Sequence, residues 1–184
     1  LLKKEINRFQ IGVNNKNFLI KKKIGFKPRF TILYAGAFGR INGLGYVIEL
    51  AEKTVLKDPS IAFILIGAGA EKEHILHHAK EANILNNNIF IFDSIPKEEL
   101  PQLYHECDMG SSFVIPVKEL WANSANKFFD TLAAGKPILI NYKRWQKKLI
   151  QEKNIGYVLP TIINDDVVNN FISYTNNKSL HSKQ

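Results

Sequence analysis

"FTILYAGAFGRINGLGYVIELAEKTVLKDPSIAFILIG" runs from Phe30 to Gly67 and decides the fold. "FTILYA" (30–35) is a short apolar run without polar alternation, the pattern of a strand covered on both faces. "GAFGRING" (36–43) is a glycine-rich loop. "LGYVIELAEKTVLKD" (44–58) has apolar residues at 44, 47, 48, 51 and 55, the spacing of a helix with one buried face. Asp58-Pro59-Ser60 stops it, and "IAFILIG" (61–67) is a second buried strand. A buried strand, a helix and another buried strand describe a parallel pair joined by a crossover.

The rhythm continues outward. "AGAEKEHILHHAKEANI" reads as loop then helix, "NIFIFD" (88–93) as a third strand and "PKEELPQLYHECD" (96–108) as a short helix. "MGSSFVIP" (109–116) carries strand four, and "NKFFDTLAAGKPILI" (126–140) supplies a helix and strand five. "GYVLP" (156–160) is a short sixth strand and "DDVVNNFISY" (165–174) a last helix. The expected fold is α/β: a Rossmann-like, doubly wound parallel sheet in three α/β/α layers. Residues 1–29 are basic and irregular, an interdomain linker or basic arm. Residues 30–175 form the domain, and 176–184 a frayed tail. Ligands of such folds bind beyond the carboxyl ends of the strands, so the informative loops begin near residues 36, 68, 94, 117 and 142.

Composition narrows the classes. The chain has 184 residues, 45% of them hydrophobic and 23% charged, which suits one domain with a proper core rather than a disordered chain. The net charge of +8 admits nucleic acid, a phosphate-bearing ligand or an acidic membrane surface, and selects none of them. Cys107 is the only cysteine, so no internal disulfide exists, which fits a reducing, cytoplasmic compartment. The start, "LLKKEINRF", has no apolar stretch of signal-peptide or membrane-span length, and it lacks a methionine, as a fragment would.

Chemistry concentrates on two segments. With Ser124 as N-cap, Lys127 takes the third position of its helix, where a cation opposes the helix dipole. Phe128, Phe129, Leu132 and Ala133 share one arc of that helix and read as core. Asn123, Lys127, Asp130 and Ala134 share another. Lys127 could neutralise a phosphate that also meets the helix N-terminus, and Asp130 could accept two hydroxyl hydrogens, as from a ribose diol. The alternative is an ordinary solvated pair. In the glycine loop, Gly36 and Gly39 permit close backbone approach and Arg40 is a second phosphate candidate, although the loop is neither G-x-G-x-x-G nor a Walker sequence. Gly67 and Gly69 repeat the theme after strand two, where Glu71 and Glu73 favour the helix start. His74, His77 and His78 read as surface residues, and no metal site is expected. Cys107 falls on an apolar side with Leu100, Leu103 and Tyr104, as a buried thiol. Trp121 is placed to line the cleft. Trp145, among cations in "YKRWQKK", fits a capped surface helix or a membrane or nucleic-acid contact.

At "NKFFDTLAAGKPILI" the chain resembles the C-terminal half of a GT-B glycosyltransferase of family 4, and the similarity runs from about Thr31 to Pro160. That family shows E-x7-E followed by a small-residue turn and G-K-P. "DTLAAGKP" (130–137) matches the second half, with Asp130 for the glutamate that binds the donor's ribose. The first glutamate falls at Ala122. "ANSANKFFD" is similar to a bacterial surface-polysaccharide branch with an Asn-Lys pair ahead of the acid, here Asn126 and Lys127. The family's glycine-arginine and glutamate-lysine-glycine positions correspond to Gly36-Ala37 and Ile41-Asn42-Gly43, so both common cations are replaced and Arg40 is the substitute for one. Ser94, Ile95 and Pro96 correspond to the wall beside the nucleobase.

The resemblance implies a donor domain for retaining transfer from a nucleoside-diphosphate sugar, the only small molecule required. The family's mechanism is front-face, with a donor phosphate helping to take the acceptor proton. Arg40, Lys127 and Asp130 are the implied catalytic residues. The implied donor contacts are Gly36, Gly39, Arg40, Gly67, Gly69, Ser94, Ile95, Pro96, Ser124, Asn126, Lys127 and Asp130. The implied partners are a glycan or polyprenyl-phosphate-linked acceptor and an N-terminal GT-B domain. Basic residues between Lys143 and Lys148 point to peripheral contact with an acidic inner-membrane surface. With Ala122 in place of glutamate, a non-catalytic nucleotide-binding or partner subunit of a split enzyme is the alternative. Nucleic acid is not expected, because no stacking aromatics pattern with Lys21–Lys23.

Overall fold

The computed structural model describes residues 24–122 and 125–177. Six strands, β1 (Phe30–Ala35), β2 (Ile61–Ile66), β3 (Ile89–Phe92), β4 (Met109–Ser112), β5 (Ile138–Ile140) and β6 (Gly156–Val158), form one sheet in the order β3-β2-β1-β4-β5-β6. Every pair is parallel. The order reverses between β1 and β4, which opens a crevice at their carboxyl ends.

Among the described residues six helices cover the sheet: α1 (Leu44–Val55), α2 (Lys72–Glu81), α3 (Leu100–Glu106), α4 (Asn126–Ala133), α5 (Trp145–Lys153) and α6 (Asp165–Asn176). Because side chains alternate across each strand, the core divides by layer. Ile32, Phe63, Leu65 and Leu139 pack with α1, α2 and α6. Leu33, Ala62 and Ile64 meet Leu103, Tyr104 and Cys107 of the α3 segment, while Ile138 and Ile140 meet Phe128 of α4 and Ile150 of α5. This is the three-layer sheet expected from the strand runs. The expected buried thiol at Cys107 is found.

Several boundaries differ from expectation. Helix α1 ends at Val55, ahead of the Asp58-Pro59-Ser60 stop. The helix expected over 96–108 divides into a 3-10 turn at Lys97–Glu99 and α3, with Pro101 in its first turn, where a missing N–H costs nothing. Strand β4 stops at Ser112 because Asn141 takes over the backbone of Val114: its Oδ1 accepts the N–H at 3.0 Å and its Nδ2 donates to the carbonyl at 3.0 Å. Helix α4 begins at Asn126 with Ala125 as its N-cap, so the cap is not Ser124, which lies outside the described residues; Lys127 is the second helical residue, not the third. The linker and tail readings fall largely on residues 1–23 and 178–184, outside those described. Within the described part, Ile24 is buried against the α3 layer and Phe26 packs on Phe90.

Two close approaches set the geometry of the switch point. A Cβ on Gly110 of β4 would lie 2.1 Å from Thr131 Oγ1, so α4 sits directly on the strand. A Cβ on Gly67 would lie 1.8 Å from the Gly36 carbonyl oxygen, so the loops after β1 and β2 stack backbone on backbone. Neither glycine has a left-handed φ; space is what each position requires.

Candidate functional site

The site assembles where β1 ends. Gly36 N–H donates to the Ile66 carbonyl at 2.9 Å, which carries β1 pairing one residue beyond the strand. Phe38 then folds back, with its N–H on the Ala68 carbonyl at 2.8 Å and its carbonyl accepting from Glu71 N–H at 2.9 Å. Gly69, at φ +152°, has room only for hydrogen beside Phe38: a Cβ would lie 2.4 Å from the Phe38 carbonyl oxygen. Gly69 therefore shapes the loop from behind. A 3-10 turn at Arg40–Asn42 and a left-handed Gly43 (φ 57°) lead into α1.

Lys127 reaches this loop from α4. Its Nζ donates to Asn42 Oδ1 at 3.4 Å and lies 5.1 Å from the centroid of the Tyr34 ring. A Cβ on Gly36 would meet Lys127 Cε at 2.9 Å and Nζ at 3.4 Å. The ammonium thus crosses the carboxyl end of β1 from the α4 layer to a tyrosine of the opposite layer. Burial pushes the Lys127 pKa down, and the nearby Asp130 carboxylate opposes that shift. Loss of water around a cation strengthens its attraction for an incoming anion. Asp130 is half-buried one turn along the same helix, and Asn126 is exposed at its first position.

Two depressions border the loop after β1. One, of about 270 Å³, is lined by Ala35–Ala37, Ile66–Ala68, Ser94, Ile95 and Leu100 at the ends of β1, β2 and β3. The structure therefore brings Gly36, Gly67, Ser94 and Ile95 together; Pro96 is exposed beside them. The other, of about 280 Å³, lies between the start of α1, α2 and the loop after β4, and it contains Gly39, Arg40, Glu71, His74 and His78. Arg40 is exposed there. His74 and His78 are also exposed, with ring centroids 4.2 Å apart. Among the described residues no group of three or more His, Cys, Asp or Glu side chains gathers as metal ligands.

Trp121 does not line either depression. Its Nε1 donates to the Ile115 carbonyl at 3.3 Å and its ring packs toward the α4–α5 core. Trp145 lies on α5, stacked on Phe129 with centroids 6.1 Å apart, so much of the ring is committed to the domain. Sequence reasoning missed Tyr34, which reads as one more strand residue, and it placed Asn42 at the family's lysine position without linking it to Lys127. It also missed Thr131, which falls between the two arcs and is buried.

A family profile described as glycosyl transferases group 1 matches residues 16–184. The chain belongs to this family. No curated protein matches the sequence. Among solved structures, the glycosyl transferase chain is similar to the C-terminal domain of LpcC, a group 1 family protein of Francisella tularensis. The TM-score is 0.69 at 16% identity, over 95% of this chain and 90% of that one. S. aureus TarM, a mutant captured with UDP, alpha-GlcNAc-glycerol and fondaparinux, scores 0.69 at 16% identity over 85% of this chain. Anabaena HepE, in complex with UDP and glucose, scores 0.68 at 13% identity over 96% of this chain. The chain spans 30% of TarM and 46% of HepE. At these identities the likeness establishes the fold of this group 1 glycosyl transferase chain, the C-terminal half of a GT-B architecture.

Proposed function

We propose that this chain is the donor-binding domain of a retaining glycosyltransferase that takes a sugar from a nucleoside diphosphate and passes it to a glycan or polyprenyl-phosphate-linked acceptor. An N-terminal GT-B domain would close over it and bring the acceptor. The observation that carries the reading is the Lys127 ammonium seated over Gly36 at the β1–β4 switch point. A diphosphate laid across that end of the sheet meets the ammonium, the first turn of α4 and the open backbone of Gly36, all suited to anions. Arg40, in the neighbouring depression, is the second cation, and Gly39 keeps its turn slim. Asp130 takes the ribose hydroxyls, while Ser94, Ile95 and Pro96 border the nucleobase beside Gly67. As the sugar leaves, charge grows on the diphosphate, and a fixed cation stabilises it without reorganising.

Calorimetry with UDP, GDP, ADP and their nucleosides tests this. The tightest diphosphate should lose about tenfold or more on Lys127→Ala, as charge-assisted hydrogen bonds are worth roughly 1.5–3 kcal/mol, and its nucleoside should lose little. Asp130→Asn should weaken ribose nucleotides more than deoxyribose ones. Failure of every diphosphate to bind would overturn the reading.

Ala122, exposed at the end of the 3-10 turn Lys118–Ala122, supports a second reading: a nucleotide-binding subunit that does not catalyse. Sugar turnover by the complete enzyme separates the two.

For location, we infer peripheral contact with the cytoplasmic face of a membrane. Lys143, Arg144 and Lys148 are exposed together around the start of α5, and no helix among the described residues is long and apolar enough to cross a bilayer. Sedimentation should be greater with liposomes containing anionic lipid than with neutral ones, and equal sedimentation would refute the electrostatic account.

A further inference from the structure

The Lys127 ammonium is held by groups from an element far away in sequence. Ala37 carbonyl accepts twice, from Tyr34 OH at 2.7 Å and from Asn42 Nδ2 at 3.0 Å. Those two bonds fix opposite ends of the same short loop. With Nδ2 committed to Ala37, the Asn42 amide must turn its oxygen outward, and that oxygen accepts from Lys127 Nζ at 3.4 Å. Beneath the ammonium lies the face of the Tyr34 ring, itself 1% exposed and braced edge-on by Phe38 at 6.0 Å. The cation therefore has a floor, the aromatic face, and a side stop, the amide oxygen. A lysine on the first turn of a helix would otherwise sweep many rotamers in solvent, losing that freedom only when it bound.

We propose that Tyr34 and Asn42 are positioning residues that hold the Lys127 ammonium over Gly36 before the donor arrives. They act through Lys127 and need not touch the donor. The inference rests on the diphosphate reading above and adds to it.

The test is calorimetry on the full chain with the tightest-binding of UDP, GDP and ADP and with its nucleoside. Circular dichroism checks each variant. Tyr34→Leu removes the aromatic floor and should weaken the diphosphate about three- to tenfold with little change for the nucleoside, the range of a partly desolvated cation–π contact. Tyr34→Phe keeps the floor but loses the bond to Ala37, so it should cost less affinity than Tyr34→Leu. In a Lys127→Ala background, Tyr34→Leu should cost no further affinity, since its effect is transmitted through the missing ammonium. Asn42→Ala removes the amide stop and should weaken the diphosphate about two- to tenfold in the parent, with no further loss in the Lys127→Ala background.

Equal losses from Tyr34→Leu in both backgrounds, or a loss shared by the nucleoside, would mean a packing role and overturn the proposal. So would an Asn42→Ala loss that persists in the Lys127→Ala background. If Tyr34→Leu does not fold, Asn42→Ala in the two backgrounds decides alone. If Lys127→Ala binds diphosphate as the parent does, the phosphate role itself fails, and the positioning role falls with it.

Discussion

A single methyl group at Gly67 should damage the proposed donor site by backbone contact alone. Built on the present backbone, the alanine Cβ at position 67 lies 1.8 Å from the Gly36 carbonyl oxygen and 2.9 Å from Phe38 Cε1. Ordinary carbon–oxygen contact needs about 1.5 Å more, and the nearest obstacle is main chain, which cannot rotate away as a side chain can. The loop after β1 must therefore shift away from β2. Overpacking of this kind costs about 1–3 kcal/mol, which for a domain of this size lowers Tm by about 2–12 °C. Gly36 is also the residue on which Lys127 lies, so the same shift should weaken nucleoside diphosphate binding by about tenfold. Gly156→Ala is the control. Its Cβ would lie 2.0 Å from the Ile138 carbonyl oxygen, an equal clash at the amino ends of β5 and β6, away from the site. Thermal scanning should find both variants destabilised, and calorimetry should find affinity reduced in Gly67→Ala only. The reasoning is refuted if Gly67→Ala melts and binds like the parent, or if both variants lose the same affinity.

Two further outcomes follow from burial. In the proposed phosphate role the charged form of Lys127 is the one that binds, and burial lowers its pKa, so the charge is lost at lower pH than for an ordinary lysine. Diphosphate affinity should therefore fall as pH rises through that depressed value, a fall that calorimetry across the alkaline range should find absent in Lys127→Ala. Burial pushes the Cys107 thiol well above its usual range, with the adjacent Asp108 carboxylate adding to the shift. A thiol-specific reagent at neutral pH should leave native protein unmodified and label it stoichiometrically in denaturant.

The layers were legible because β1, β2 and β3 are runs whose two faces are both apolar, and because each intervening helix shows a 3.6-residue period. β4 was harder. Its "MGSS" buries two hydroxyls, and only the fold supplies their partners: Ser111 Oγ donates to the Leu33 carbonyl at 2.8 Å, and Ser112 Oγ accepts from Tyr142 OH at 3.1 Å. Lys127 stood out by its place at the start of a helix, against the dipole. Its holders did not, because Asn42 lies 85 residues away and its place in the glycine loop does not tie it to Lys127. Ser124 drew the cap assignment because serine satisfies orphan N–H groups well, yet α4 begins after Ala125 with no side-chain cap at all. Thr131 escaped because its hydroxyl satisfies itself on the Lys127 carbonyl at 2.7 Å, which lets a polar side chain face the sheet.

That contact makes Thr131 the fulcrum of α4. It rests on the bare backbone of Gly110, one helical turn from Lys127, and so gauges how high the helix rides above β4. A methyl at position 110 would act as a shim. The helix would tilt or lift, and the lysine, a lever with a fixed length of four methylenes, would withdraw its tip from Gly36. The reach of the ammonium is therefore calibrated from underneath, by the thinnest point between two layers of the fold.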